Sequence, residues 1–175
     1  MTWLAYDAPG RTPLDRVLGL RPELHRGLLA FYALFWERRL VDPVLLELCR
    51  LLAAGLLGCT SEQRIRYRPA VDAGLSELAA ASVATWRTAG CFDARERACL
   101  LFAEKFVLDP HTIDDADVAA VRDAIGTEAT VALTEALALF DGFMRFRRML
   151  GADDPAEPDG VVIVPGPSLA AESLP

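Results

Sequence analysis

The chain has 175 residues, of which 53% are hydrophobic, and a formal net charge of -7. This length fits one domain with a substantial core, and no apolar run approaches the ~18 residues of a membrane span. There is also no dense cluster of Lys and Arg of the kind that binds a phosphate backbone. We therefore expect neither a membrane nor a nucleic acid as a partner.

The first residues, MTWLAYDAPGR, have neither the basic start nor the apolar segment of an export signal. The chain has four cysteines, Cys49, Cys59, Cys91 and Cys99. In a chain of this size that is not exported, free thiols are expected rather than a disulfide framework. Both features predict a cytoplasmic location.

Taken in order, the chain is predicted to be helical almost throughout. The helix expected over residues 43–57 has leucines around most of its circumference, which is typical of a central helix. A short helical turn is predicted at Thr12 and Pro13, and longer helices over 21–40 and about 128–150. Three more helices are predicted between them: one from Ser76 to about Thr88, one that begins at the capping box of Asp93 and Glu96, and one within TIDDADVAAVRDAIG. The predicted fold class is therefore all-α, a compact bundle of about six to seven helices.

A sharp corner is predicted near residue 58. Pro43 lies just inside the start of the central helix, and Gly58 ends that helix. Cys59 then begins a second helix, in which Thr60 and Gln63 have capping-box spacing and QRIRYRP runs on as far as Pro69. Because the helix dipole favours a thiolate at this end, we expect a Cys59 pKa somewhat below that of a free thiol.

Glu47 is a carboxylate within the leucine-rich helix, where burial is costly unless the charge is paired. If the two helices fold back antiparallel, Glu47 comes level with Arg66, and Glu62 lies one turn from Arg66. Two interpretations follow for Glu47. It is either catalytic, or part of a buried ion pair with Arg66 or Arg50.

The order of Glu47 and Cys59, twelve positions apart, is similar to a pattern in the carboxymuconolactone decarboxylase and alkylhydroperoxidase D superfamily. The resemblance extends through the Leu-x-Pro segment at Leu20, GLSE, FDARERACLLFAEKF and ALALFDGFMRFRRMLG. Redox members carry Glu, then Cys-x-x-Cys, then His four residues on. Here Glu62 stands in place of the second cysteine and Arg66 in place of the histidine, so the motif is degenerate.

The resemblance implies an alkylhydroperoxidase D-like fold and a site of Cys59, Glu47, Glu62 and Arg66, with no cofactor and no metal. It also implies thiol-dependent peroxidase activity of the peroxiredoxin type. A disulfide cycle needs a second thiol and a group that titrates near neutrality, but Glu62 cannot be oxidised and Arg66 cannot deprotonate. We therefore expect altered or weak peroxidase activity. The alternatives are a non-catalytic helical oligomer, or a lyase or decarboxylase acting on a small organic acid.

The helices over 21–40 and 128–150 carry more apolar residues than one core face needs, which predicts a homo-oligomer. From Ala152 the composition shifts to Pro, Gly and acidic residues. We therefore predict a helical domain over residues 1–151 and a tail over 152–175. The apolar, β-branched pentad VVIVP, residues 161–165, is of the kind that docks on a neighbour as an extended strand. Because no other strand is predicted, we expect it to dock in a groove between helices.

Overall fold

The computed structural model describes residues 13–37 and 39–153, together with the backbone of residues 161–163. This part of the chain contains nine α-helices and one pair of short strands, so the prediction of an all-α fold is confirmed. The number of helices exceeds the expected one because several are very short. In chain order the helices are α1 Pro13–Gly19, α2 Pro22–Glu37, α3 Pro43–Leu57, α4 Thr60–Arg64, α5 Arg68–Asp72, α6 Glu77–Ser82, α7 Ala94–Leu108, α8 Asp115–Ile125 and α9 Thr127–Met149. The strands are β1 Ile65–Tyr67 and β2 Val161–Ile163.

Helix α3 is the centre of the molecule and packs mainly against α7 and α9. Asp42 accepts hydrogen bonds from the backbone of Val44 and Leu45 at its start. Gly58, in the left-handed region at φ 62°, ends it. Leu46 is fully buried, as expected for a helix that is apolar all round. Both predicted ends of this helix are confirmed.

The second helix of the corner is much shorter than predicted. It ends at Arg64, and β1 follows as an extended segment in which Ile65 and Tyr67 are buried and Arg66 is half-buried. This alternation matches the period of a strand, and Ile and Tyr favour strands over helices. Pro69 does not end a helix but lies in the first turn of α5, where its missing N–H costs nothing.

The tail returns to this strand. β2 pairs with β1 in parallel, with Ile65 opposite Val161 and Tyr67 opposite Ile163. The prediction that VVIVP docks in a groove between helices is therefore wrong for residues 161–163, and the rest of the pentad lies outside the described residues. The physical reason is that β1 offers unpaired backbone groups to a β-branched segment.

Helices α1, α2 and α9 surround an apolar groove of about 510 Å³. Near it, Leu24 is 61% exposed and Met149 is 71% exposed. Such exposed apolar surface is typical of a subunit interface, which supports the predicted homo-oligomer. None of the described helices has the length and apolar character needed to cross a membrane.

We expect light scattering to find no stable monomer of the wild type at micromolar concentration. Leu24→Arg places a charge on the apolar surface and should shift the protein towards monomer. Leu78→Arg is the matched control, because Leu78 is 70% exposed on α6, away from the groove. A wild-type particle with the mass of one chain would contradict the prediction.

Candidate functional site

Glu47 and Arg50 lie one turn apart on α3, and the side chains of both are completely buried. The Arg50 guanidinium donates through Nε to Glu47 Oε2 and through Nη2 to Glu47 Oε1, each at 2.7 Å. This bidentate geometry is the strong form of an arginine–carboxylate pair. Of the two predicted partners of Glu47, the structure places Arg50 there and not Arg66.

Glu62 on α4 binds two guanidinium groups. Its Oε2 accepts from Arg50 Nη1 at 2.7 Å, and its Oε1 accepts from Arg147 on α9. Arg50 Nη1 also donates to the backbone carbonyl of Glu62 at 2.7 Å. Glu47, Arg50, Glu62 and Arg147 thus form one chain of buried charges, which we call the ionic network. Its two carboxylates and two guanidinium groups balance in charge.

Strand β1 closes one side of the ionic network. The Tyr67 backbone N–H donates to Glu47 Oε1 at 3.1 Å, and Arg50 Nη2 donates to the Ile65 carbonyl at 3.0 Å. The Arg50 guanidinium also lies 4.7 Å from the centre of the Tyr67 ring. Burial alone would lower the pKa of Arg50, but the adjacent Glu47 and Glu62 raise it well above its usual value. Arg50 is therefore charged at any physiological pH.

Cys59 precedes the first residue of α4 and is completely buried. Its Sγ atom lies 3.6 Å from Asp153 Oδ1. Asp153 also accepts from the backbone of Thr60 at 2.9 Å and of Ser61 at 2.8 Å, and from the Ser61 hydroxyl at 2.6 Å. A carboxylate from beyond the end of α9 thus satisfies the free N–H groups at the start of α4 and lies against the thiol.

The predicted capping box of Thr60 and Gln63 is wrong. Thr60 is the first residue of α4 rather than its cap. The cap residue is Cys59, whose side chain makes no capping hydrogen bond. The Gln63 amide instead donates to the Ala54 and Cys59 carbonyls, each at 3.3 Å. Asp153 makes the cap, and no local sequence pattern contains that long-range contact.

The predicted activation of Cys59 is also wrong. Burial raises the pKa of its thiol to about 11, although a hydrogen bond from the Glu62 backbone opposes the rise. The negative charges of Glu62 and Asp153 raise it further, while Arg147 lowers it. Desolvation of the buried thiolate therefore outweighs the favourable effect of the helix start. Cys59 is therefore protonated at neutral pH.

All four cysteines are free thiols, as predicted. Cys49 and Cys99 are buried, and burial raises the pKa of Cys49 well above its usual value and that of Cys99 to about 12. Cys91 is exposed. No group of three His, Cys, Asp or Glu side chains suited to a metal ion occurs within the residues that the structure describes.

Arg66 lies outside the ionic network. Its Nη1 donates to the carbonyls of Gln63 at 2.8 Å and Ile65 at 2.9 Å, and its Nη2 lies 3.5 Å from Glu77. It lines a second cavity, of about 480 Å³, between α3 and α6. Of the four predicted site residues, Glu47 and Glu62 are therefore brought together through Arg50, Cys59 lies beside α4, and Arg66 faces a separate space.

Sequence analysis missed Arg147 and Asp153. A signal for Arg147 was present, because it continues the buried stripe of α9 at helical spacing after Leu133, Leu137, Phe140 and Met144. A charged residue in such a stripe predicts a buried partner. For Asp153, in the acidic segment after α9, no such periodic signal exists.

Residues 22–105 match the model of the Carboxymuconolactone decarboxylase family. A crystal structure of a protein of unknown function from Agrobacterium tumefaciens, provisionally assigned to antioxidant defence as AhpD, aligns with a TM-score of 0.66 at 18% identity. The alignment covers 81% of this chain and 97% of that one. No curated protein sequence matches the chain significantly.

The structural alignment shows that the two proteins share a fold, and the family model covers α2 to most of α7, including α3 and α4, which supply Glu47, Arg50, Cys59 and Glu62. Over residues 22–105 the chain is therefore similar to the carboxymuconolactone decarboxylase family.

Proposed function

We propose that this chain takes a small organic acid and has only weak thiol-dependent peroxidase activity of the peroxiredoxin type. The observation that carries the proposal is the position of Glu62. In place of a second thiol, the chain has a carboxylate that holds Arg50 and Arg147. A family dithiol site is replaced by a buried ionic network.

The chemistry of peroxide reduction supports this. A thiolate attacks the peroxide O–O bond to give a sulfenic acid, and a second thiol then condenses with it to a disulfide. Cys59 is buried and has a pKa of about 11, so it supplies little thiolate at neutral pH. The oxygens of Glu47 accept three hydrogen bonds, from Arg50 and from Tyr67, which leaves this carboxylate poorly placed to accept a proton from a thiol or a substrate.

The cavity beside Arg66 supports the non-redox part of the proposal. Ligand cavities in proteins commonly measure about 300–1,000 Å³, and this one measures about 480 Å³. It holds a guanidinium group, which is suited to a carboxylate. The substrate or ligand is therefore proposed to be a small organic acid, as a lyase or a binding protein of this family would take.

We expect alkyl hydroperoxide to be consumed slowly in the presence of a dithiol reductant, and Cys59→Ser to lower this slow rate only slightly. The assay should use a Cys91→Ser background, so that the exposed thiol of Cys91 does not contribute to the rate. Brisk turnover that Cys59→Ser abolishes would overturn the proposal and show a working peroxidase.

The second candidate is a non-catalytic helical oligomer. It is favoured by the ionic network, since buried ion pairs of this kind also occur in proteins without any chemistry at the site. The two candidates differ in one measurable respect. A non-catalytic oligomer needs no small-molecule ligand, so specific binding of an acid at Arg66 separates them.

A further inference from the structure

The walls of the cavity beside Arg66 are mainly aliphatic. One wall is the outer face of α3, and the other is α6 with the turn that follows it. Apart from Gln63, Arg66 and Glu104, every residue that lines it is aliphatic or glycine: Leu51, Leu52, Gly55, Leu56, Ala80, Ala81, Val83 and Ala84. No aromatic ring is among the described residues that line the cavity. Such walls suit an aliphatic ligand body.

Arg66 places one unsatisfied donor next to this apolar space. Its Nε atom is buried and has no hydrogen-bond partner among the described residues. The Arg66 side chain is only 12% exposed, and its ion pair with Glu77 is long, at 3.5 Å, and formed with a carboxylate that is 72% exposed. A buried charged N–H without a partner is costly. An anion bound at Arg66 would supply the missing acceptor.

The other charged lining residue does not compete for this role. Glu104 accepts from Trp86 Nε1 at 2.7 Å and from Arg87 at 2.6 Å, so its two oxygens are occupied and its charge is balanced by Arg87. Among the residues that line the cavity, Arg66 is the single cation. The cavity therefore has one cationic side chain for an anion and a mainly aliphatic remaining surface.

From this we infer that the cavity binds an aliphatic monocarboxylate, with its carboxylate on Arg66 and its chain between α3 and α6. The inference rests on the proposed function in naming the class of acid. It assigns Arg66 as a ligand-binding residue separate from Cys59 and from the ionic network.

Gly55 gives an independent way to test the position of the ligand. It lies on α3, lines the cavity, and has no atom within 4 Å of where a Cβ would stand. Gly55→Leu should therefore fill part of the cavity from the α3 side and leave the guanidinium group of Arg66 in the chain. The matched control for Arg66 is Arg68, an exposed arginine on the neighbouring helix α5 that does not line the cavity.

The experiment is calorimetric titration of the full chain with hexanoate and octanoate, and with 1-hexanol and 1-octanol as neutral analogues. We expect the acids to bind more tightly than the alcohols. Arg66→Gln should weaken acid binding about tenfold or more, the usual effect of losing a charged hydrogen bond, and leave alcohol binding unchanged. Gly55→Leu should weaken both, and Arg68→Gln neither.

Circular dichroism of each variant checks that it folds, and Arg66→Lys gives a second variant that keeps the charge but loses the forked geometry. It should retain part of the acid binding. Equal loss with Arg66→Gln and Arg68→Gln would overturn the inference. Acid binding that neither Arg66→Gln nor Gly55→Leu alters would also overturn it, because the acid would then bind outside this cavity. Because no thiol takes part, these outcomes are independent of the peroxidase assay.

Discussion

Arg50→Met is expected to lower the free energy of unfolding by about 3–5 kcal/mol. Arg50 is completely buried and donates to both Glu47 and Glu62. Its removal leaves Glu47 as a buried carboxylate without a charged partner and Glu62 with Arg147 alone. It also removes the donors to the carbonyls of Glu62 and Ile65. Leaving one partner of a buried pair uncompensated costs far more than the intact pair contributes.

Urea denaturation followed by circular dichroism measures this loss. Arg68→Met is the matched control, because the Arg68 side chain is 51% exposed and its ion pair with Asp72 is long, at 3.9 Å. It should cost less than about 1 kcal/mol. The double variant Glu47→Met with Arg50→Met should recover part of the loss, since the buried charges are removed together. A loss below about 1 kcal/mol for Arg50→Met would show that the ionic network contributes little.

Cys59 in the folded protein is expected to react with iodoacetamide at pH 8 at least about two orders of magnitude more slowly than the same thiol in urea. A free thiol with a pKa near 8.5 is about one quarter thiolate at this pH, whereas a thiol with a pKa near 11 is about one part in a thousand. Burial raises the pKa of the Cys59 thiol to about 11. Its reaction rate should therefore keep rising through pH 9 and 10 instead of levelling off above 8.5.

Mass spectrometry of tryptic peptides in a Cys91→Ser background follows Cys59 without the exposed thiol. Asp153→Ala should speed the reaction, because it removes the carboxylate that lies 3.6 Å from Sγ and the cap of α4. Asp153→Asn keeps an acceptor for the Ser61 N–H and should have a smaller effect. A folded wild type that reacts as fast as the unfolded chain would show that Cys59 is accessible and activated.

Whether a structural feature could be predicted from the sequence depends on how far apart along the chain its contacting residues lie. The bounds of α3 and the capping box of Asp93 and Glu96 were read correctly, because they depend on residues a few positions apart. The burial of Glu47 with a nearby cation was also foreseen, since Arg50 lies one turn away on the same helix. The length of the second helix was misjudged because Ile65 and Tyr67 fit a strand as well as a helix.

Local pattern alone determined the all-α fold and the central position of α3. The resemblance to a known family implied that Glu62 and Arg66 stand in place of a thiol and a histidine. Only the tertiary structure decided what these residues do. Glu62 and Arg147 are 85 positions apart, and Ser61 and Asp153 are 92 apart. Such contacts depend on how α9 and the segment after it return to α4. Periodicity along one element carries no information on that return. The return is nevertheless what buries the thiol at the start of α4 and keeps it protonated.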